Sequence, residues 1–390
     1  RQADSENYDV HDLVREFLTR SMEDSLKQSL HANAVEWYRS RKDDPSESIE
    51  HIHHLHESGD IEGLASALSE EGHKLVKAGH IELLGILRVL EARLFGPRTR
   101  FVIHELTGDI LSVQGKWDEA EEQYDMALPI AVKHKLTTPL ARIYSSRADL
   151  AVKKGEMDTA LSLHKKALEM QIKLRDAQGA ARSYNNMGYI FRRQRDNKRA
   201  LEVYGNVEEL LDSEGSSELT EARIRLASAF LEMGEMDRAR DHAMTAHDET
   251  EQNNQEKLHA RSRAVLGRYY ARIKDNDLAM HHYSGALEIL SDQSDPRSAV
   301  EVEMLLGQVL SDAGRSDEAA QHYLDALSIA EANDFRMMQG EILSRLGEVE
   351  SNRSQRMDYL QRSLVVFREL GAVDRMRDVQ NSVHRVVMGH

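Results

Sequence analysis

The sequence predicts an all-α fold, an α-solenoid of about seven helix hairpins preceded by a helical connector. Its composition favours helix, because only 5 of 390 residues are proline and 40% are hydrophobic. A pattern of small residues recurs about every 40 positions, and apolar residues within each copy follow helical spacing. A single hairpin cannot bury its apolar face alone, so the copies are expected to stack on one another.

The first segment, residues 1–22, contains YDVHDLVREFLTRSM at positions 8–22. Val10-His11-Asp12-Leu13 and the helical sequence after it resemble the end of the winged-helix module in STAND-class signalling ATPases. The resemblance implies that His11 contacts the β-phosphate of bound ADP in an intact protein. The chain lacks the phosphate-binding loop Gly-x-x-x-x-Gly-Lys-Ser/Thr and begins with Arg1. We therefore expect a piece of a longer protein whose ATPase lies upstream.

Residues 23–96 are expected to form a helical connector without the 40-residue register. SLKQSLHANAVEWYRSR reads as one helix, and PSESIEHIHHLHESG as the next, with Pro45 and Ser46 opening it. DIEGLASALSEEGHKLVKAG and HIELLGILRVLEARL read as a further antiparallel pair. Gly96-Pro97 breaks the chain before the regular array at 97–390.

Two registers of small residues define the repeated unit. The first lies within the first helix of each hairpin: Gly108, Ala148, Gly188, Ala227, Gly267, Gly307 and Gly347. The second opens the second helix: Ala120, Ala160, Ala200, Ala239, Ala279 and Ala319. Between the helices lie short turns such as Gly-Glu-Met-Asp and Gly-Arg-Ser-Asp. The glycine is expected to take positive φ and the aspartate to cap the second helix.

The repeated unit resembles the tetratricopeptide repeat. In SYNNMGYIFRRQRDNKRALEVYGN, the marks are Tyr184, Met187-Gly188, Phe191, Ala200 and Tyr204. The resemblance implies a right-handed superhelix whose first helices line a concave groove. The units here are longer than the usual 34 residues, and the last one is about three residues short at its inner turn.

A positively charged segment is expected on the groove wall. There is no acidic residue from Ala177 to Arg195. With the small residue counted as the eighth of a unit, the resemblance places the second, fifth, ninth, twelfth and thirteenth positions in the groove. Asn186 lies beside these positions and is included in the predicted site. The predicted ligand-binding residues are Arg142, Lys153, Arg182, Asn185, Asn186, Tyr189, Arg192 and Arg193.

These side chains suit an effector with an acidic or phosphorylated end. Arginine binds carboxylate or phosphate through two points, and asparagine can bind an extended peptide backbone. The fifth unit also contributes positive charge, through Arg261, Arg268 and Arg272, whereas later units are expected to be acidic, through Glu301, Asp312, Glu341 and Glu348. The alternative is that these arginines are solvated or paired with carboxylates of the same chain.

Histidines suggest a metal site that the sequence does not complete. His51, His53, His54 and His56 lie within one predicted helix, and His51 and His54 share a face. One helix alone supplies too few ligands, so we expect no metal and interpret these residues as part of the connector helix. His281, His282 and His322 repeat with the register and are expected to be packing residues.

Composition and motifs exclude several functions. Without cysteine the chain forms no disulfide and offers no thiolate. No apolar run approaches the roughly 20 residues of a membrane span, and no signal peptide pattern opens the chain. A net charge of −16 disfavours direct nucleic-acid binding. No catalytic motif is present, so we expect that this piece is not an enzyme and holds no cofactor. The absence of cysteine fits a cytoplasmic protein, which is the location we expect.

The favoured function is a sensor. A peptide, protein or small-molecule effector in the groove would control the upstream ATPase of a STAND-type regulator, and the full-length protein would then bind ADP or ATP. The alternative is a stand-alone adaptor or peptide receptor that scaffolds protein–protein interactions. A third possibility, an enzyme, has no motif to support it.

Overall fold

The computed structural model describes residues 22–39, 45–90, 95–211, 216–292, 295–370 and 372–388. Within these ranges the chain forms 20 helices and no strand, which confirms the all-α prediction. None of the described helices combines the length and apolar character needed to cross a bilayer. The predicted end of a winged helix, including His11, lies outside the described residues except for Met22.

The chain divides into two compact units, Arg1–Asp176 and Ala177–His390. The first unit begins with five helices of unequal length. They are α1 (Asp24–Arg39), α2 (Pro45–Ser58), α3 (Ile61–Glu70), α4 (Gly72–Ala78) and α5 (Leu83–Val89). Two regular hairpins follow. They are α6 (Pro97–Val113) with α7 (Trp117–Lys133), and α8 (Thr137–Lys154) with α9 (Met157–Leu174).

The second unit contains five hairpins and a closing helix. The hairpins are α10 (Ala177–Arg193) with α11 (Asn197–Leu210), α12 (Ser217–Met233) with α13 (Met236–Gln252), α14 (Glu256–Arg272) with α15 (Asn276–Asp292), α16 (Pro296–Asp312) with α17 (Ser316–Ala332), and α18 (Arg336–Val349) with α19 (Arg353–Glu369). Helix α20 (Val373–Met388) packs against α19. Within each unit, consecutive helices of the hairpin array pack on one another, as in a solenoid, and the two units together hold the seven predicted hairpins.

The connector departs from the expected helices. DIEGLASALSEEGHKLVKAG breaks at Glu71 into α3 and α4. The break brings Gly72 against the buried side chain of Leu106, where an added Cβ would lie 2.4 Å from Leu106 Cδ1. The next helix is also shorter than predicted, because Leu90 leaves α5 in an extended conformation.

The small residues of the first register allow the two helices of a hairpin to approach closely. In four hairpins an added Cβ would lie 2.3–2.6 Å from the Cε1 of a buried tyrosine 16 residues later. The pairs are Gly108 with Tyr124, Gly188 with Tyr204, Gly267 with Tyr283, and Gly307 with Tyr323. Where the register carries Ala148 or Ala227, the residue 16 positions later is a smaller one, His164 or Ala243. A glycine is therefore matched to a large buried tyrosine in four of the hairpins.

The turns inside the hairpins confirm one prediction and correct another. The glycines after the first helix take positive φ, as at Gly155 (83°) and Gly234 (79°). The aspartates of Gly-Glu-Met-Asp and Gly-Arg-Ser-Asp turns do not cap the second helix, because the helix begins one residue earlier. Asp158, Asp237 and Asp317 lie in its first turn instead. There a carboxylate still interacts favourably with the positive helix end.

The three repeat histidines differ in environment. His282 stacks on Tyr270 with ring centroids 5.2 Å apart, as expected of a packing residue. His322 Nδ1 lies 2.7 Å from a carboxylate oxygen of Glu303, so it takes part in a polar pair. His281 is exposed, and its assignment as a packing residue is wrong.

Candidate ligand-binding groove

The second unit contains two neighbouring cavities, both lined mainly by first helices. The larger one, here called the long groove, has a volume of about 870 Å³. Residues of α10, α12, α14, α16 and α18 line it, together with Leu290 of α15 and Arg375 of α20. The small pocket, of about 330 Å³, lies between α10 and α12 and includes Leu258 of α14.

One register position lines these cavities in all five hairpins of the second unit. It is the second position of the unit, which the sequence placed in the groove. Its members are Arg182, Glu221, Arg261, Glu301 and Glu341. The fifth position lines them in four hairpins and the ninth in three, whereas the twelfth and thirteenth positions contribute Arg193 alone among the described lining residues. The small pocket and long groove are therefore formed mainly near the N-terminal and central turns of the first helices.

A second position also lines the cavities in all five hairpins, and the sequence analysis named only its first member, Asn186. It lies two residues before the small residue of each first helix. Its members are Asn186, Arg225, Val265, Leu305 and Arg345. This cavity-lining position can be predicted from the sequence, because its residues keep a constant offset from the small residues. These are Gly188, Ala227, Gly267, Gly307 and Gly347.

The long groove combines positive charge with apolar surface. Its ionisable lining residues are Arg193, Arg261, Arg268, Arg297, Arg345, Arg375, Glu301 and Glu341. Its larger apolar lining residues include Ile224, Val265, Leu305, Met337 and Met338. Six arginines face two glutamates, so the wall is positive although the whole chain carries −16.

The predicted change to an acidic wall in the later units does not occur. Each of three predicted acidic residues has an arginine partner. The pairs are Glu301 with Arg297 at 3.6 Å, Glu341 with Arg375 at 2.8 Å, and Glu348 with Arg345 at 3.1 Å. Asp312 accepts a hydrogen bond from Gln308. The prediction failed because these arginines occupy positions that were not counted as groove positions.

Several groove arginines share carboxylates across successive hairpins. Glu232 lies 2.6 Å from Arg192 and 3.9 Å from Arg268. Burial lowers the pKa of Arg268, and the nearby guanidiniums of Arg192 and Arg272 lower it further, despite the attraction of Glu232.

Arg193 is the groove arginine without an acidic partner in the described part of the chain. Its Nη1 lies 3.5 Å from the hydroxyl oxygen of Tyr189, and its guanidinium carbon lies 6.0 Å from the centre of that ring. The side chain is exposed to solvent. A ligand anion could therefore bind Arg193 without displacing a carboxylate.

The small pocket is built around half-buried ion pairs. Glu221 lies 2.6 Å from Arg225 and 2.8 Å from Arg261. Burial would raise the pKa of Glu221, but these two guanidiniums outweigh it and hold the pKa at about 2. Arg225 Nη1 also donates to the carbonyl of Asn185 at 3.4 Å. These contacts join α10, α12 and α14 and hold the pocket open between them.

The predicted ligand residues of α10 are partly committed to these contacts. Arg182 pairs with Glu218 at 3.0 Å, and Arg192 pairs with Glu232. Asn185 is 3% exposed, and its Nδ2 donates to the carbonyl of Glu218 at 2.9 Å. One of its two amide hydrogens is therefore committed within the chain. Asn186 lines the small pocket, and Tyr189 packs beneath two guanidiniums, those of Arg193 and Arg225.

The two predicted ligand residues of the first unit make internal contacts. Arg142 donates to both carboxylate oxygens of Glu105, at 3.1 and 2.7 Å. Lys153 Nζ donates to the carbonyl and hydroxyl oxygens of Ser112, at 3.2 and 2.9 Å, and burial lowers its pKa. For Arg142 and Lys153 the structure indicates a role in packing helices rather than in ligand binding.

The register, the hairpins and the lining by first helices correspond to a known repeat. Residues 139–212 and residues 304–333 each match a tetratricopeptide repeat family. The chain carries tetratricopeptide repeats. The fold of the described residues is an α-solenoid like those that such repeats form. No curated protein sequence matches it significantly.

Solved structures with the same fold include two sensors. A Signal Transduction ATPase with Numerous Domains (STAND) protein with a tetratricopeptide repeat sensor, from Pyrococcus horikoshii, matches with a TM-score of 0.64 and 15% identity. The match covers 95% of this chain and 57% of that protein. The apo form of the quorum sensor NprR from B. thuringiensis matches with a TM-score of 0.60 and 10% identity, over 93% of this chain and 97% of that one.

Proposed function

We propose that this chain is a tetratricopeptide-repeat sensor that binds an acidic peptide, or an acidic segment of a protein, in the long groove. The observation that carries the proposal is the charge of that groove. Six arginines and two glutamates line it within a chain whose net charge is −16. A positive, concave and partly apolar surface on an acidic protein selects ligands that are themselves acidic.

The groove offers two kinds of contact. Exposed ion pairs such as Arg297 with Glu301 contribute only about 0–1 kcal/mol each, so a ligand carboxylate can replace the internal one at little loss. Arg193 supplies a further guanidinium that makes no such pair in the described residues. The methionines beside them, Met337 and Met338, adapt to apolar side chains of varied shape. The expected ligand therefore carries carboxylates or phosphates interspersed with apolar residues.

We further propose that the sensor belongs to a STAND-type regulator. Supporting observations are the fold shared with the STAND protein over 95% of this chain, and the sequence around His11. Effector binding in the groove would favour one arrangement of sensor and winged helix, and so release the upstream ATPase from ADP. Such control requires the effector to bind the two states with different affinities.

A stand-alone adaptor or peptide receptor is the second candidate. The quorum sensor matches over 97% of its own length, so this fold can make up almost an entire sensor chain. ADP release from the full-length protein distinguishes the two candidates. A regulator releases ADP faster when effector is added, whereas a receptor without an ATPase has no nucleotide to release.

The groove is tested with three fluorescent peptides of equal length and apolar content, carrying net negative, zero and net positive charge. Fluorescence polarisation should show tight binding of the acidic peptide alone. Arg193→Glu should weaken that binding by about tenfold or more, which corresponds to about 1.4 kcal/mol. The matched control is Arg240→Glu, which makes the same charge change at an exposed residue of α13 outside the groove.

Two results would contradict the proposal. One is equal binding of all three peptides, which would mean that groove charge does not select the ligand. The other is an equal loss of affinity in Arg193→Glu and Arg240→Glu, which would indicate a general charge effect rather than a contact in the groove.

A further inference from the structure

The connector of the first unit brings three histidines together from two helices. His53 and His54 belong to α2, and His31 belongs to the preceding helix α1. One ligand nitrogen from each ring can be chosen so that all three lie within 4.8 Å of one another. The ring centroids are 5.0–5.9 Å apart in the three pairs.

This arrangement removes the reason for expecting no metal. The histidines of α2 alone supply too few ligands for a metal site. No pattern in the sequence indicates that His31 of α1 lies beside them. His31 and His54 are close enough for their Nδ1 atoms to lie 2.7 Å apart. In a hydrogen bond at that distance one Nδ1 donates and the other accepts, so the accepting lone pair faces the partner ring.

We propose that His31, His53 and His54 form a binding site for a divalent transition metal such as Zn²⁺. Three imidazole nitrogens at about 2.0–2.1 Å, with a fourth position open to water, make a familiar coordination set for this ion. In a tetrahedral site the ligand nitrogens lie about 3.3 Å apart, so small ring rotations would convert the observed cluster. Imidazole favours Zn²⁺, Ni²⁺ and Cu²⁺ over Mg²⁺ and Ca²⁺.

The surroundings suit a cation. His54 is half-buried beside the other two histidines, and a neutral imidazole offers a ring nitrogen lone pair to a metal. Glu50 and Glu57 add negative charge near it. Tyr38 stacks on the His54 ring at a centroid distance of 5.3 Å and restricts its orientation. Ordered rings and nearby carboxylates are what metal-binding histidines usually have around them.

Metal binding would fix α1 to α2. Helix α1 has one buried residue, Val35, while Leu26, Leu30 and Trp37 are 45–50% exposed. Apolar packing therefore holds this helix weakly, and a bound ion shared by the two helices would add the missing constraint. Because the metal binds the folded hairpin in preference to the unfolded chain, it should raise the thermal stability of α1.

The first test is calorimetric titration of Zn²⁺ into the whole chain after treatment with a chelator. We expect one saturable site, and an affinity at least tenfold lower in His31→Ala and in His54→Ala. His56→Ala is the matched control, because His56 lies on the same helix and contacts Glu57 instead of the cluster. The absence of a saturable site would overturn the proposal, and so would His31→Ala binding as tightly as the unsubstituted chain.

The second test does not depend on substitutions that could unfold α1. Co²⁺ added to the unsubstituted chain should give the visible absorption of a low-coordinate site with nitrogen ligands. It should also shift the ring-proton resonances of His31, His53 and His54 and leave those of His56 in place. If the three rings show no shift, the 2.7 Å contact is only a hydrogen bond between His31 and His54.

Discussion

At the scale of single residues, Gly188 and Gly205 belong to one hairpin but meet different surroundings. An added Cβ at Gly188 would lie 2.3 Å from Cε1 of Tyr204, whose side chain is fully buried. An added Cβ at Gly205 would meet no atom within 4 Å. The same substitution therefore separates close packing from helix propensity.

We predict opposite signs for the two substitutions. Gly188→Ala should lower the free energy of unfolding by about 1–3 kcal/mol, because the Tyr204 ring has no free space into which to move. Gly205→Ala should raise it by about 0.5–1 kcal/mol through helix propensity. Urea unfolding followed by circular dichroism measures both. Stabilisation by Gly188→Ala would show that the ring yields easily and that the register glycines are not needed for close approach.

At the scale of elements, Glu105 connects three helices of the first unit. Its carboxylate is buried and accepts two hydrogen bonds from Arg142 of α8. It also lies 2.8 Å from His73 Nε2 of α4. The contact joins α4 of the connector to the first two hairpins, and it engages the guanidinium of Arg142, a predicted ligand residue.

Glu105→Gln should therefore destabilise the first unit by about 1–3 kcal/mol, because it leaves the Arg142 guanidinium beside a neutral amide in a partly buried site. The control is Glu119→Gln on α7, whose ion pair with Arg88 is exposed on both sides. That change should cost less than about 1 kcal/mol. Thermal unfolding of the two variants gives the comparison, and equal effects would mean that Glu105 contributes no more than a surface charge.

At the scale of the whole molecule, charge acts differently at long and short range. The chain carries −16, so an acidic ligand is repelled at a distance and attracted only once it is near the arginines of the long groove. Salt screens charges over about 10 Å at 0.1 M. Screening therefore weakens the distant repulsion and the contacts in the groove at the same time.

This difference in range predicts that salt changes the two rate constants for the acidic peptide to different extents. Between about 0.05 and 0.5 M salt, the association rate constant should stay level or rise up to about twofold, because repulsion is screened. The dissociation rate constant should rise several-fold as the groove contacts weaken. Stopped-flow fluorescence separates them. A steep fall in the association rate constant would mean that the groove field extends past the surface and steers the ligand.

The hairpin array of this protein could largely be predicted from the sequence. Helix class, the seven hairpins and their turns follow from spacing that is local to each unit, and helical periodicity is a property of neighbouring residues. The second register position could be placed in the cavity for the same reason, because each copy repeats one geometry. The position two residues before the small residue, occupied by Asn186 and Arg225, could be predicted in the same way from its constant offset.

The partners of the arginines and the contacts between the connector helices could be read only from the folded structure. Whether Arg193 or Arg142 lacks a carboxylate partner depends on side chains about 40 residues away, and no spacing rule encodes that pairing. The break at Glu71 and the approach of His31 to His54 likewise arise from packing among helices of the connector, which has no repeat to predict it. Periodic segments are specified by local propensity, whereas irregular ones are specified by contacts between distant residues.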